Sequence, residues 1–180
     1  IIEYLEANYT EPVWAIGHSF GAIVLAFAAE QRPDLFKGHI MMDPPVLSRK
    51  IRWMMAISQF FGISHKIMPL AKKAANRSDQ FPSRAFLAEK LRNKTLFKNF
   101  SDASFNNYIQ YGWEDSENGV KLSFNKDLET KIFALTHPFY SSIKLSIPSY
   151  YLYATVGEIA NTRSIDSIMH LFPKTKFTPI

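Results

Sequence analysis

The chain has 180 residues, of which 47% are hydrophobic and 21% are charged, a balance that excludes a disordered or fibrous chain and fits one globular domain. It contains no cysteine, which excludes disulfide frameworks, thiolate metal sites and cysteine nucleophiles. The net charge is +5, but Lys and Arg are scattered among acidic and apolar residues, so we predict a solvated surface and no nucleic-acid partner.

The sequence also bears on compartment. Its apolar runs are shorter than the roughly 20 residues that span a bilayer, and no secretory signal peptide is evident. The default expectation is therefore a cytoplasmic protein. Because the sequence begins with Ile and not Met, we expect that it does not start at the natural N-terminus.

The first 45 residues predict, in order, a helix, a strand, a sharp turn, a second helix and a second strand. The helices are expected at residues 1–8 and 22–30, and the short apolar strands at residues 13–16 and 39–43. A strand, helix and strand in this order form a unit that requires a parallel sheet covered by helices. We therefore predict the α/β fold class.

The segment from residue 48 to residue 140 has helical patterns and no good run of buried strands. Helices are predicted at 51–61, 83–93, 101–111 and 127–135, and Asn118-Gly119 predicts a small hairpin. This segment is too long for a simple connection within a sheet. Strand composition returns at 149–157, followed by a helix at 164–171 and a strand starting at 175. We predict an α/β core at 1–47 and 141–180 and a helical cap at 48–140.

One motif carries chemistry, the five residues Gly17-His18-Ser19-Phe20-Gly21 between the first strand and its helix. G-x-S-x-G in this context is typical of a nucleophile elbow, which presents the serine hydroxyl at the tip of a strained turn. Glycines are expected at 17 and 21 because a Cβ at either position would collide with neighbouring backbone. The Phe20 N–H, at the start of the helix, is expected to bind the oxyanion. The pattern alone also occurs in surface turns, so the flanking strand and helix carry the prediction.

These residues, together with those at 13–22, 32–36 and 40–44, resemble strands five and six of the α/β-hydrolase family. Residues 147–171 resemble strand seven and the helix after it, and the middle segment resembles the cap that many members insert. The resemblance covers nearly the whole chain. It implies a serine hydrolase that acts on small apolar esters or related acyl compounds through an acyl-Ser19 intermediate, without cofactor or metal.

Parts of the family's fold have no counterpart in the chain. Strands one to four and the loop that supplies a second oxyanion donor are missing at the N-terminal side, and the chain stops where strand eight begins. We therefore expect a longer natural protein with further N-terminal and C-terminal parts of the same fold. The given chain alone is expected to be inactive and to expose the edge of its first strand.

The resemblance leaves two candidates for the acid of a catalytic triad. Most members carry the acid three residues after a glycine equivalent to Gly157, but that position is Ala160 here, and Glu158 lies two residues before it. Some branches use instead an acid at the end of strand six, where this chain has Asp43. We favour Asp43, because the carboxyl ends of adjacent parallel strands open into the same crevice. The alternative role of Asp43 is to cap the following turn.

No histidine in the chain fits the catalytic position, which the resemblance places after strand eight. The five candidates are His18, His39, His65, His137 and His170, and His137, in the predicted cap, is the nearest substitute. The base is therefore expected outside the given chain. The sequence predicts neither a metal site nor a nucleotide site. It has no residues at metal-ligand spacing and no glycine loop of the phosphate-binding or dinucleotide-binding type.

The aromatic residues of the middle segment have two interpretations, a hydrophobic core or an apolar substrate pocket. The pocket hypothesis involves Trp53, Phe60, Phe61, Phe86, Phe97, Phe100, Tyr108, Tyr111 and Trp113.

Two alternatives to ester hydrolysis also stay open. One is another serine-dependent reaction, C–C bond hydrolysis or perhydrolysis, and the other is a noncatalytic relative that binds a small apolar ligand or a protein partner.

Overall fold

The computed structural model of the chain describes residues 1–45, 49–135, 143–155, 169, 172 and 174–180. The chain divides into a first unit, residues 1–53 with 137–180, and a second unit, residues 54–136. The assignment of 48–140 as a cap stays a prediction.

In chain order the elements are α1 (Ile2–Asn8), β1 (Val13–His18), α2 (Phe20–Gln31), a 3₁₀ turn (Pro33–Leu35), β2 (Phe36–Met42), α3 (Arg49–Phe60), α4 (Ser64–Ile67), α5 (Pro69–Asn76), β3 (Gln80–Phe81), α6 (Arg84–Arg92), α7 (Asp102–Tyr111), β4 (Trp113–Ser116), β5 (Gly119–Leu122), α8 (Lys126–Leu135), β6 (Ser149–Tyr153) and β7 (Thr175–Pro179).

The first unit contains a parallel four-stranded sheet in the order β1-β2-β6-β7. The β–α–β unit expected in the first 45 residues is confirmed as β1, α2 and β2. Because α2 buries mostly small side chains, it can lie close to one face of the sheet. The core between them consists of residues from both layers, including Ala15, Ala22, Ile23, Ala26, Ala29, Met41 and Tyr151.

The opposite face of this sheet carries exposed apolar residues. Trp14 and Ile16 alternate with the buried Ala15 along β1, and their side chains are 51% and 60% exposed. The Trp14 ring lies over Gly38 of β2, where an added Cβ would collide with the indole ring. It also contacts Tyr150 of β6, with ring centroids 6.2 Å apart.

The second unit has its own sheet and its own core. Its antiparallel sheet has the order β3-β5-β4, and the β4–β5 hairpin predicted at Asn118-Gly119 is confirmed, with Gly119 at φ +121°. No sequence pattern predicts the two-residue strand β3. The core of the unit is a cluster of buried residues from α6, α7, the loop between them and the sheet, namely Leu87, Leu91, Phe97, Phe105, Ile109, Trp113 and Val120.

Two predicted helix starts are confirmed by their capping bonds. The Ser83 hydroxyl accepts a hydrogen bond from the Phe86 N–H at the start of α6, and the Ser101 hydroxyl accepts one from the Ser104 N–H at the start of α7. The strand predicted at 149–157 is shorter in the structure, since β6 ends at Tyr153. The helix predicted at 164–171 lies outside the described residues, apart from position 169.

Candidate active site

Ser19 occupies a strained turn between a strand and a helix. It follows the last residue of β1 and is the N-cap residue of α2, with φ 52° and ψ −122°. A residue with a Cβ rarely adopts a positive φ, because its side chain crowds the backbone. The Ser19 N–H donates to the carbonyl of Met42 over 2.9 Å, and the Ser19 carbonyl accepts from the Ala22 N–H over 3.1 Å. These bonds hold the turn against the end of β2.

The two glycines of the motif have different roles in the structure. A Cβ added to Gly17 would lie 2.7 Å from both the nitrogen and the Cα of Ala22, so the close approach of β1 and α2 requires glycine there. A Cβ added to Gly21 would meet no atom within 4 Å among the described residues. The expected collision at Gly21 is therefore wrong, because this second residue of α2 is exposed.

Asp43 lies at the same end of the sheet as Ser19. The last residues of β1 and β2, His18 and Met42, are paired in the sheet, and Ser19 and Asp43 directly follow them. Asp43 also has a positive φ of 45°, and its N–H donates to the carbonyl of Leu152 over 2.8 Å. The structure thus brings the serine and the favoured acid to adjacent turns at the carboxyl ends of neighbouring strands.

The turn that carries Asp43 is anchored on its buried side by β6. Tyr151, which is fully buried, donates its hydroxyl to the carbonyl of Pro44 over 3.0 Å. The Asp43 Oδ1 accepts a long hydrogen bond of 3.4 Å from the Ala154 N–H. Sequence reasoning missed Tyr151. The sequence feature that could have identified Tyr151 is the alternation of side chains along β6, which puts Tyr151 on the same face of the sheet as Ala15.

Phe20 is the first residue of α2, and its side chain is half-buried. The N–H groups of the first helical turn lack partners within the helix, and they lie at the positive end of the helix dipole. The Phe20 N–H lies at this end of α2, where a backbone N–H can bind a negative charge that develops next to Ser19.

The described histidines differ in their surroundings. His39 is fully buried in β2, and neither of its ring nitrogens has a hydrogen-bond partner among the described residues. Burial lowers the pKa of His39 to about 4, so its ring is neutral near pH 7. His18 is exposed at the end of β1, and His65 is exposed on α4 in the second unit. His137, His170, Glu158 and Ala160 lie outside the described residues.

No three His, Asp or Glu side chains of the described residues converge as a metal site would require. No helix in the described ranges has the length and hydropathy needed to cross a bilayer.

Two aromatic residues of the pocket hypothesis belong instead to the core of the second unit. Phe97 and Trp113 are each only 4% exposed and are part of its buried cluster, which favours the core interpretation for these two residues. The unit does contain an open pocket of about 430 Å³, lined by Arg77, Tyr108, Tyr111, Gly112, Leu122, Ser123, Phe124 and Glu129. Nη2 of Arg77 lies 2.7 Å from Oε2 of Glu129 at its wall, although the pair lacks good hydrogen-bond angles.

Comparisons with known proteins support this architecture. A family model described as the alpha/beta hydrolase fold matches residues 2–179. No match was found among curated protein sequences. The thioesterase domain from the curacin biosynthetic pathway superposes with a TM-score of 0.73 at 16% identity, over 99% of this chain and 61% of that domain.

Two further solved structures are similar. E-2-(acetamidomethylene)succinate hydrolase matches with a TM-score of 0.71 at 12% identity, over 98% of this chain and 61% of the other. An esterase from a marine microorganism matches with a TM-score of 0.58 at 19% identity, over 99% of this chain and 65% of the other. The chain thus spans less than two thirds of each of these proteins. With the family match over almost its whole length, the chain belongs to the α/β-hydrolase fold family.

Proposed function

We propose that the protein is a serine hydrolase that cleaves carboxylic esters or related acyl compounds, with Ser19 as its nucleophile. The observation that carries the proposal is the backbone of Ser19, at φ 52° between β1 and α2. This is the conformation in which a nucleophile elbow raises a serine hydroxyl above a parallel sheet. Strained non-glycine residues concentrate at functional sites, because their cost is otherwise selected against.

The reaction would proceed in two steps. The Ser19 Oγ attacks the carbonyl carbon of the substrate while a base takes its proton, and the Phe20 N–H binds the oxyanion of the tetrahedral intermediate. The intermediate collapses to acyl-Ser19 and releases the alcohol, which receives the proton. Water then attacks the acyl-Ser19 carbonyl by the same route, and the carboxylate leaves.

The acid of the proposed triad is Asp43, with Glu158 as the alternative. Asp43 is favoured because it directly follows β2, whose last carbonyl binds the Ser19 N–H. The base is proposed to be a histidine other than those described. His39 is a poor candidate because it is buried within the sheet.

The substrate class rests on the family and its neighbours. The similar structures are named as a thioesterase, an esterase and a hydrolase of a succinate derivative, so hydrolysis is what these names share, at identities below 20%. A fold alone hosts many reactions. Other serine-dependent chemistry, such as C–C bond hydrolysis or perhydrolysis, therefore remains an alternative, as does a noncatalytic binding role.

The nucleophile is tested with a fluorophosphonate probe on the complete protein that contains this sequence. We expect one labelled peptide, carrying Ser19, and no label in Ser19→Ala. Ser146→Ala, which removes an exposed serine in the same unit, should label normally. With p-nitrophenyl esters, Ser19→Ala should lower kcat/KM by about 10⁴-fold or more. Absence of label at Ser19 would refute the proposal and favour the binding role.

The acid is tested by comparing Asp43→Asn with Glu158→Gln. Asparagine tolerates positive φ as aspartate does and keeps the acceptor for the Ala154 N–H, so Asp43→Asn removes mainly the charge. We expect Asp43→Asn to lower kcat by about 10⁴-fold and Glu158→Gln to change it less than about tenfold. The reverse ranking would identify Glu158 as the acid.

A further inference from the structure

An exposed apolar surface lies at the corner where α3 turns into α4 and α5. We call it the α3–α5 corner, and it comprises residues 57–73 of the second unit. The large side chains exposed there are Ile57 (55%), Phe60 (85%), Phe61 (65%), Ile63 (39%), Ile67 (42%) and Leu70 (54%). Single exposed apolar residues are ordinary, but a cluster within so short a segment marks an interaction surface.

The backbone explains why these residues face outward. Gly62, at φ +68°, lies in the turn just after α3, and the Ile63 N–H donates back to the carbonyl of Ser58. The buried face of α4 and α5 is formed by small residues and one methionine, namely Ser64, Met68, Ala71 and Ala74. Both helices pack on α8 within the same unit. The remaining side of the corner keeps its apolar residues in solvent, with the rings of Phe60 and Phe61 edge to face at 5.2 Å.

The charge within this stretch of the sequence has one sign. The segment 44–78 contains no Asp or Glu, and it carries Lys or Arg at positions 49, 50, 52, 66, 72, 73 and 77. Within the corner, Lys66, Lys72 and Lys73 are exposed, and none of them has an ion-pair partner among the described residues. Acidic residues are thus absent from this stretch. The α8 helix that packs on α4 and α5 contributes the exposed Asp127, and its Glu129 is paired with Arg77, so the three lysines leave the corner with a net positive charge.

We propose that the α3–α5 corner binds an anionic lipid surface. Exposed phenylalanine and aliphatic side chains next to lysines are what a peripheral protein inserts into the headgroup and acyl boundary, while the ammonium groups meet anionic headgroups. Nucleic acid would be bound through planar stacking residues and Arg, whereas most apolar residues of the corner are aliphatic and its free cations are lysines. The proposal concerns adsorption to a surface and does not depend on the chemistry of Ser19.

The test is co-sedimentation of the protein with vesicles of phosphatidylcholine alone or with 30% phosphatidylserine. We expect at least tenfold tighter binding to the phosphatidylserine vesicles, weakened by salt. Phe60→Ser with Phe61→Ser should weaken binding at least tenfold. Replacing Lys66, Lys72 and Lys73 by Gln should remove most of the preference for phosphatidylserine.

Matched controls lie elsewhere in the same unit. Leu96→Ser with Tyr111→Ser removes two comparably exposed apolar side chains, and Lys94, Lys98 and Lys131 replaced by Gln remove the same charge. Both controls should bind within about twofold of the parent, and far-UV circular dichroism should be unchanged in every variant. The proposal would be overturned if the protein bound neither vesicle, or if the controls lost as much binding as the variants of the corner. It would also be overturned if the protein selectively bound an oligonucleotide, or if it formed a dimer that Phe60→Ser with Phe61→Ser dissociates. Because adsorption is measured without substrate, an inactive Ser19 variant that still binds would separate this proposal from that of the nucleophile.

Discussion

Ser19 and Asp43 are the two described residues other than glycine with positive φ angles, at 52° and 45°. Such a conformation costs about 1–3 kcal/mol and persists only where the surroundings impose it. Here the N–H of each residue is fixed by a carbonyl of the next strand, Met42 for Ser19 and Leu152 for Asp43. Each strained residue is therefore held by a hydrogen bond across the end of the sheet, which keeps both turns in register.

The two glycines of the motif give a prediction with a built-in control. Gly17→Ala should destabilise the protein by about 2 kcal/mol or more, because its Cβ would collide with the backbone of Ala22. Gly21→Ala should be neutral or stabilise by up to about 1 kcal/mol, since alanine is the better helix former and the space is open. Urea unfolding measures both. Equal losses in the two variants would mean that another segment packs on Gly21.

A second residue-scale prediction concerns His39 and pH. Its pKa is lowered to about 4 by burial, against an ordinary value of 6.5, so the unfolded chain takes up a proton in a range where the folded chain does not. The stability associated with the neutral ring is complete above pH 6.5 and is lost as the pH falls toward 4. Its full size is about 3 kcal/mol.

The His39 prediction is checked against His39→Leu, which cannot titrate. We expect the free energy of unfolding of the parent to fall by about 2 kcal/mol more than that of His39→Leu between pH 7 and pH 4.5. Carboxylates titrate in both proteins and cancel in the difference. Ser149, the neighbour of His39 on β6, donates its hydroxyl to the carbonyl of Ile147 and not to the ring. Parallel pH profiles for the two proteins would show that the ring finds a partner.

At the scale of elements, most helices and strands were predictable because their signals are local. Ser83 and Ser101 carry cap signals that a sequence displays directly, and Asn118-Gly119 specifies a hairpin through the conformation glycine permits. Strand β3 (Gln80–Phe81) was missed because two residues have no periodicity, and it exists only through pairing with β5. The space around Gly21 and the bond from Tyr151 to Pro44 depend on chain neighbours far away in sequence, which no local pattern encodes.

The junction of α6, α7 and β4 gives the prediction at this scale. The Arg84 guanidinium, at the start of α6, donates to the carbonyls of Ile109, Gln110 and Trp113 over 2.8–3.0 Å, so it satisfies the C-terminal end of α7. It also pairs with Asp115, whose side chain is largely exposed. Arg84→Met should cost about 2–4 kcal/mol in the free energy of unfolding, because the carbonyls lose a charged donor.

Asp115→Asn is the matched control for the Arg84 junction. It removes the exposed carboxylate but leaves the bonds to the carbonyls, and it should cost less than about 1 kcal/mol. Urea unfolding measures both variants. If Asp115→Asn lowers the free energy of unfolding as much as Arg84→Met does, then Arg84 stabilises the protein through its ion pair and not through its bonds to the end of α7.

At the scale of the whole molecule, the sheet of the first unit has unequal faces. Parallel sheets are usually covered on both faces, yet Trp14, Ile16 and Tyr150 are exposed on the side away from α2. The similar structures superpose over nearly the whole chain, which spans 61% of the first two of them. In a longer protein that contains this sequence, we expect further segments to cover this face rather than the one packed on α2.

Ile16→Lys tests that expectation by comparing two proteins. In the 180-residue chain, where Ile16 is 60% exposed, the substitution should raise the concentration at which the protein aggregates and leave the free energy of unfolding nearly unchanged. In the complete protein, a covered lysine would lack a partner and should cost about 2 kcal/mol or more. Gln31→Lys adds the same charge at an exposed end of α2 and should be neutral in both proteins. If Ile16→Lys changed the free energy of unfolding equally in both proteins, this face would stay in solvent in the longer protein. If Gln31→Lys gave the same gain in solubility, the gain would come from net charge and not from this face.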